Sequence, residues 1–210
     1  MYKQLKRLVD ILGAILLLVL FSPLCLMTAI LIKTDAGPIF ADTPERVGLE
    51  GRLFKMYKFR SMVEAAHILL RTDPKYQDLY KKYKRNSYKL ASDPRITPIG
   101  KIIRKHSIDE IPNLLNVLKG EMSIVGPRAY YPDELKSQLK KYPYTKKLVS
   151  IVLSVKPGVT GAWQVSGRSE VNFDKRIAMD AQYAQKKSIL YDFGIMIKTP
   201  WAMVSGKGAM

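Results

Sequence analysis

Two adjacent carboxylates, Asp109 and Glu110, stand in the stretch "RKHSIDEIPNLLNVLKGEMSIVGPR", residues 104–128, between the bases Arg104 and Lys105 on one side and Arg128 on the other. Carboxylates framed by guanidinium groups suit a metal-assisted reaction on a phosphoester. Mg²⁺ accepts one or two carboxylates and leaves its other positions to phosphate oxygens, arginines grip the remaining oxygens in pairs, and an aspartate can itself attack phosphorus to give an acyl phosphate. Ser107-x-x-Glu110 also fits a capping box, which would make Glu110 a structural residue in a helix begun at Ile108. Pro112 argues against that, because it would fall at the fifth helical position, where its missing N–H would leave a carbonyl unpaired. A helix beginning between Glu110 and Pro112 is the better expectation. The pair then lies at the mouth of a helix, where both side chains can turn to one cation; on a regular helix neighbours diverge by about 100°. Candidate phosphate clamps are Arg95 in "SDPRIT", Arg104, Arg128 in "VGPR" and Arg168 in "SGR", placed near Gly or Pro turns.

Other chemistry has no text to support it. The chain has no GxxxxGK[ST] loop, no GxGxxG, no HExxH and no GxSxG, so nucleoside triphosphate hydrolysis and redox work lack a motif. Cys25 is the single cysteine, which excludes an internal disulfide and cysteine-based zinc sites. The two histidines, His67 and His106, are isolated in sequence and are expected on the surface. With 35 Lys and Arg against 18 Asp and Glu, the net charge of +17 points to an acidic partner: nucleic acid, anionic lipid or a phosphorylated small molecule.

From Ile11 to Ile32 no residue is charged, and 22 such residues are about what a helix needs to cross the hydrocarbon of a bilayer. No small-x-small cleavage pattern follows, so the segment is expected to remain as an anchor. Basic residues flank it at both ends, and Ser22-Pro23 interrupts its middle. Proline denies Val19 its helical donor and Ser22 can take up the freed carbonyl. A kinked spanning helix and a re-entrant helix-break-helix both fit. Asp10, at the membrane edge, is costly there unless paired or at head-group level. Beyond the anchor, residues 37–62 alternate around Gly48 and Gly51 and read as short strands with turns. Residues 63–90 read as one or two polar-faced helices interrupted near Asp73-Pro74. "KLVSIVLSVKPG" is an apolar patch ending in a turn at Pro157-Gly158, and "ILYDFGIMIKTPWAMV" fits either a membrane surface or the core. The expected division is an anchor over 1–34 and one domain over 35–210.

The order of blocks resembles one family, the bacterial sugar transferases that act as monotopic polyprenyl-phosphate phosphoglycosyltransferases. The resemblance is carried by "KRLVDILGAILLLVLFSP", "FKMYKFRSM", "SDPRITPIGKIIRKHSIDEIPNLLNVLKGEMSIVGPR", "KPGVTGAWQVSGR" and "MDAQY…SILYDFGIMIKT", from Lys6 to about Thr199. It implies a mostly helical α+β fold with a re-entrant anchor broken at Ser22-Pro23, surface-lying amphipathic helices and a catalytic domain on the cytoplasmic face of the bacterial inner membrane. It further implies that Asp109 attacks the β-phosphate of a UDP-sugar, releasing UMP, and that polyprenyl phosphate then takes the sugar phosphate. Glu110, with Asp109, would hold Mg²⁺ and assist the acceptor. By position, Lys58, Arg104, Arg128 and Asp192 would line the site, Arg168 would contact nucleotide or phosphate, and Asp180 is a further candidate. Implied partners are the UDP-sugar, the lipid phosphate and anionic lipid, with a downstream glycosyltransferase and a second copy of the chain as possible associates and no nucleic acid.

Two departures stand out. Ala129 follows Arg128 where the family usually has proline, which removes a rigid residue from that turn, and "AWQVSGR" resembles members that transfer galactose or glucose 1-phosphate. Larger members carry further transmembrane helices and another domain ahead of this region. Two other classes stay open from the residues alone: a tethered binding protein, which would leave Asp109-Glu110 without a role, and a glycosyltransferase that releases UDP rather than UMP.

Overall fold

A computed structural model describes residues 2–35, 37–86, 88, 90, 92–166 and 172–204. The helices are α1 (Tyr2–Leu20), α2 (Ser22–Lys33), α3 (Ala66–Thr72), α4 (Gln77–Arg85), α5 (Pro98–Lys105), α6 (Asn113–Lys119), α7 (Pro132–Lys141), α8 (Lys146–Leu153), α9 (Ala162–Val165), α10 (Phe173–Lys186) and α11 (Ile189–Val204). Four short strands complete the fold: β1 (Arg46–Val47) pairs antiparallel with β2 (Leu53–Phe54), and β3 (Ser123–Val125) runs parallel to β4 (Gly158–Thr160). The mostly helical α+β class expected from the sequence is what forms, with the strands serving as short braces. The break near Asp73-Pro74 falls between α3 and α4 as expected, where the Asp73 side chain accepts from the Lys75 amide.

The break at Ser22-Pro23 also forms as the residues dictate. Pro23 cannot donate to Val19, and the Ser22 hydroxyl donates to that carbonyl instead at 2.8 Å. The two helices bend by 60° there. No single described helix is long and apolar enough to cross a membrane, although α1 and α2 together have the length and composition.

α1 is joined to the rest through its first ten residues. Asp10 is buried, and its Oδ1 accepts from Ser123 Oγ at 2.9 Å and from the Ile124 amide at 3.0 Å, so pairing offsets the cost of placing a carboxylate there. Lys6 bridges Asp10 at 3.4 Å and Asp192 at 3.0 Å. Arg7 donates to the carbonyls of Val117 and Leu118, the last turn of α6, whose unpaired oxygens carry the negative end of the helix dipole. Next to this lock Ala14 is fully buried, in one core with Val117, Met122, Val125 and Ile195. The other end of the pair returns to the domain as well, since Arg60 Nη2 donates to the carbonyls of Ile32 and Asp35, both at 3.2 Å. Between these ties the pair leaves Leu12, Leu16, Val19 and Leu20 of α1 and Leu26 and Ile30 of α2 exposed.

β3 and β4 bring the "VGPR" and "KPG" turns together backbone to backbone. The Gly126 amide donates to Thr160 O and the Gly158 amide to Pro127 O. A Cβ on Gly158 would lie 2.0 Å from Gly126 N, so only glycine permits the approach. Arg128 leaves this junction in a fixed direction. At the C-terminus α11 packs on α9, β3 and β4 but leaves Leu190, Phe193, Ile197 and Trp201 outward, Leu190 at 82% and Trp201 at 78% exposure. Of the two locations open to this segment, the core is the one not taken by these side chains.

Candidate active site

Asp109 and Glu110 share one 3-10 turn, Ile108–Glu110, between α5 and α6. Ser107 adopts a left-handed backbone (φ 56°) and its hydroxyl caps nothing, so the capping box does not form. α6 starts at Asn113 with Pro112 as its cap, one residue beyond the expected start, where the missing N–H breaks no helical bond. The turn is held from the side by an extended segment: the Phe59 amide donates to Asp109 O at 3.0 Å, while the neighbouring Lys58 carbonyl accepts from Ala41. This places the Lys58 ammonium 2.5 Å from Glu110 Oε1.

Asp109 is buried, with 6% of its surface exposed. Burial pushes its carboxyl up, Lys58 opposes, the Glu110 charge adds to the rise and Arg104 opposes; the group comes to about 6. Burial works on Glu110 in the same sense, but the charge and hydrogen bond of Lys58, with Arg128 and Arg104, outweigh it and hold Glu110 below its ordinary value. Two carboxylates one peptide apart are therefore driven in opposite directions. Such a divergence between neighbouring carboxyls is a pattern common at functional sites.

Both open onto a cavity of about 1100 Å³. Lys58, Arg104 and Arg128 line it beside them, so the structure brings these three expected residues to the pair. Leu17, Phe21 and Leu24 of the α1–α2 pair line the same cavity, with Met196 and Pro200 of α11. Arg95 also faces it, but its guanidinium is engaged: Asp93 takes Nε at 2.8 Å and Nη2 at 2.5 Å, and the Ala66 carbonyl takes Nη1. It braces the α3 end of the wall rather than offering a free fork. Asp192 lies elsewhere. Its carboxylate accepts from Tyr183 Oη at 2.6 Å and pairs with Lys6, within the lock that seats α1, and it does not line the cavity. Asp180 is buried behind Arg128, and burial raises it to about 7 against hydrogen bonds from the Arg128 amide and the Tyr130 hydroxyl. Arg168 lies outside the described residues. The donor set suits a hard divalent cation of the kind that takes few protein ligands, with Glu110 released from Lys58 and Asp109 alongside; among the described residues no group of three or more acidic, His or Cys side chains gathers to form a full protein cage.

His67 corrects an expectation. It is half-buried in the cavity wall instead of lying on the surface, with Arg71 Nη1 donating to Nδ1 at 2.7 Å and Nε2 3.0 Å from Tyr131 Oη. Burial, then Arg71, Arg46 and Arg95, push it down to about 3, so it is neutral, with the proton on Nε2 since arginine can only donate. His106 is exposed, as expected. The wall made by Arg46, His67 and Tyr131 was not anticipated from the sequence; the Tyr130-Tyr131 pair, one residue beyond "VGPR", was its visible sign.

An α+β domain thus carries a bent apolar helix pair, and one cavity is shared between those helices and a buried carboxylate among cations. The chain belongs to the bacterial sugar transferase family, whose pattern it matches over residues 1–206. It is 41% identical to the undecaprenyl-phosphate galactose phosphotransferase of Salmonella typhimurium over 98% of this chain and 41% of that protein. It is likewise 41% identical to the exopolysaccharide production protein ExoY of Rhizobium meliloti, over 97% of this chain and 87% of that one. A UDP-N-acetylgalactosamine-undecaprenyl-phosphate N-acetylgalactosaminephosphotransferase of Aeromonas hydrophila is 35% identical over 99% of this chain and 45% of its own length. The chain thus spans less than half of the Salmonella and Aeromonas relatives and most of the Rhizobium one.

Proposed function

We propose that the protein transfers a sugar 1-phosphate from a UDP-sugar to polyprenyl phosphate, at the surface of the cytoplasmic membrane, as an early step in building an exopolysaccharide, capsule, O-antigen or glycoconjugate. The observation that carries this reading is the shared cavity: the buried Asp109 and the anchor residues Leu17, Phe21 and Leu24 line one space. An anionic, water-soluble donor and an acceptor confined to the bilayer can meet only in a site built with both kinds of wall. The names of the Salmonella and Rhizobium relatives agree with it.

In the first step an Asp109 oxygen attacks the β-phosphorus. The bond from that phosphorus to the oxygen bridging to the α-phosphate breaks, and UMP leaves with the electron pair. Asp109 then carries the sugar phosphate as an acyl phosphate. An oxygen of polyprenyl phosphate attacks the same phosphorus, the bond to Asp109 breaks, and the carboxylate is restored as polyprenyl-diphosphate-sugar departs. Arg104, Arg128 and Lys58 stabilise the charge on the phosphoryl oxygens. Glu110, kept ionised by Lys58, is the base for an acceptor phosphate that arrives protonated. Mg²⁺, when bound by Asp109 and Glu110, supplies neutralisation of phosphate charge. Galactose and glucose are the favoured sugars on the "AWQVSGR" block.

The α1–α2 pair enters and leaves the same leaflet. Support comes from both of its ends being tied to the catalytic domain, through Lys6 and Arg7 at one and Ile32 at the other, while its middle is apolar and exposed. The exposed stripe of α11 lies on the same membrane surface, and the basic charge favours anionic lipid. The test is nucleotide release from a panel of UDP-sugars with Mg²⁺, with and without undecaprenyl phosphate. UMP from one donor, increasing with lipid, is the expected result; UDP would reassign the protein to transfer of sugar alone, and no nucleotide would favour a binding protein.

A further inference from the structure

Arg128 is held in place by a carboxylate that does not reach the substrate. Asp180 in α10 is fully buried, and its Oδ2 accepts from the Arg128 amide at 3.1 Å and from the Tyr130 hydroxyl at 2.9 Å. One oxygen thus spans Arg128-Ala129-Tyr130, a stretch in which Ala129 supplies no rigidity of its own. Neither Asp180 nor Tyr130 lines the cavity. The Tyr130 ring is fixed in turn: it stands edge-on to Phe173 with centroids 5.7 Å apart, and the Arg176 guanidinium lies 5.3 Å from its centre. Arg176 is itself buried and paired with the buried Glu134 at 2.7 Å.

From the other side, Arg46 Nη1 donates to the Ala129 carbonyl at 3.0 Å and the Val47 amide to the Tyr130 carbonyl at 2.9 Å. The Arg128 side chain leaves this braced peptide over the Trp163 ring, 5.2 Å from its centre, and its Nε is buried with no hydrogen-bond partner. A guanidinium so placed, with donor capacity unspent, is preset for an incoming anion.

We propose that Asp180 and the Tyr130 hydroxyl are positioning residues that preset the Arg128 guanidinium for the donor's phosphate. This rests on the transferase reading above. A preset fork gives up little rotational freedom when the phosphate arrives, so loosening the peptide under Arg128 weakens phosphate binding without touching any group that contacts it.

A double-mutant cycle tests it. Tyr130→Phe keeps the ring and its contacts and removes only the hydroxyl; Arg128→Lys keeps the charge and removes the fork. Equilibrium binding of UMP and kcat/KM for the UDP-sugar are measured for the wild type, both single variants and the double variant, with melting temperatures alongside. The expected result is a loss of about tenfold on Tyr130→Phe in the wild-type background and under about twofold in the Arg128→Lys background, because the staple acts through the fork. Equal losses in both backgrounds would show a general structural effect and overturn the proposal, as would no loss at all. UMP binding needs no turnover, so the cycle is readable even with inactive variants. If the wild type neither binds UMP nor releases it from any donor, the transferase reading fails and takes this inference with it.

Discussion

Asp109 and Glu110 differ by one backbone step and by the sign of their displacement, and the difference comes from the balance of burial against cations: on Asp109 burial prevails, on Glu110 the hydrogen-bonded Lys58 outweighs it. Glu110 pairs with Lys58 and stays partly exposed, while Asp109 is buried in the cavity wall. A nucleophilic carboxylate must be ionised, and burial holds Asp109 at about 6 without a divalent cation beside it, so UMP release in the first half-reaction is expected to fall on the acid side, with a midpoint that moves to lower pH as Mg²⁺ is raised. Single-turnover rates between pH 4.5 and 8.5 at several Mg²⁺ concentrations measure this; an acid limb whose midpoint does not move with Mg²⁺ would show that Asp109 is not the group that must ionise. The same displacement carries a stability consequence. Because the folded value lies above the unfolded one, the native state binds more protons in the interval from about 4 to 6, and stability falls as pH rises through it. Asp109→Asn removes the buried charge and is expected to melt several degrees above the wild type at pH 8, for a gain of at most ~3 kcal/mol, with little difference at pH 4. Equal melting temperatures at pH 8 would contradict that burial cost. At this scale the sequence was informative about which residues meet. Lys58 is 51 positions from Asp109, and only the resemblance placed it there, whereas Pro112 alone excluded the capping box. Arg95 and Asp192 show where such reasoning stops: each has the right charge, but buried partners, Asp93 for one and Lys6 with Tyr183 for the other, already claim it.

Among the elements, α1 and α2 were the most legible. An uncharged run of this length, a proline in its middle and a serine before it dictate two helices with the Val19 carbonyl satisfied by Ser22. What the pattern could not give was the course of the ends, because the tie of Arg7 to α6 and of Arg60 to α2 depends on residues far apart in sequence. With both ends tied to the domain, a cysteine introduced at Lys3 in a Cys25→Ser background is expected to react with a membrane-impermeant maleimide from the same side as one introduced at Lys75. Labelling from opposite sides would establish a spanning helix instead. The glycine-lined junction of β3 and β4 was legible only as two turns; that they touch follows from a backbone approach no local pattern encodes. Gly158→Ala is expected to lower the melting temperature by more than about 5 °C, since a Cβ 2.0 Å from Gly126 N forces the strands apart beneath Arg128. An unchanged melting curve would show that this junction yields without cost.

For the whole molecule, charge and apolar surface act together. On the proposed membrane location, a net charge of +17 would draw the domain to anionic head groups, and the exposed faces of α1, α2 and α11 would supply an attraction that salt does not screen. Binding to vesicles containing anionic lipid is therefore expected to weaken as salt rises from 0.05 to 0.5 M, by roughly tenfold, and then to persist at a salt-independent level; complete release at high salt would show that the apolar faces do not insert. Composition shows the charge and the apolar run that becomes α1 and α2, but not the cavity, which is assembled from those two helices, the 58–67 segment, the 3-10 turn and the Arg128 loop.

The most direct measurement is a mass analysis of the protein quenched in acid within one turnover after mixing with Mg²⁺ and its UDP-sugar, without lipid acceptor. A peptide containing Asp109 is expected to gain the mass of one sugar phosphate, the gain to disappear when polyprenyl phosphate is added, and Asp109→Asn to show none. Release of UMP at a comparable rate with Asp109 unmodified throughout, or an adduct on another residue, would contradict this.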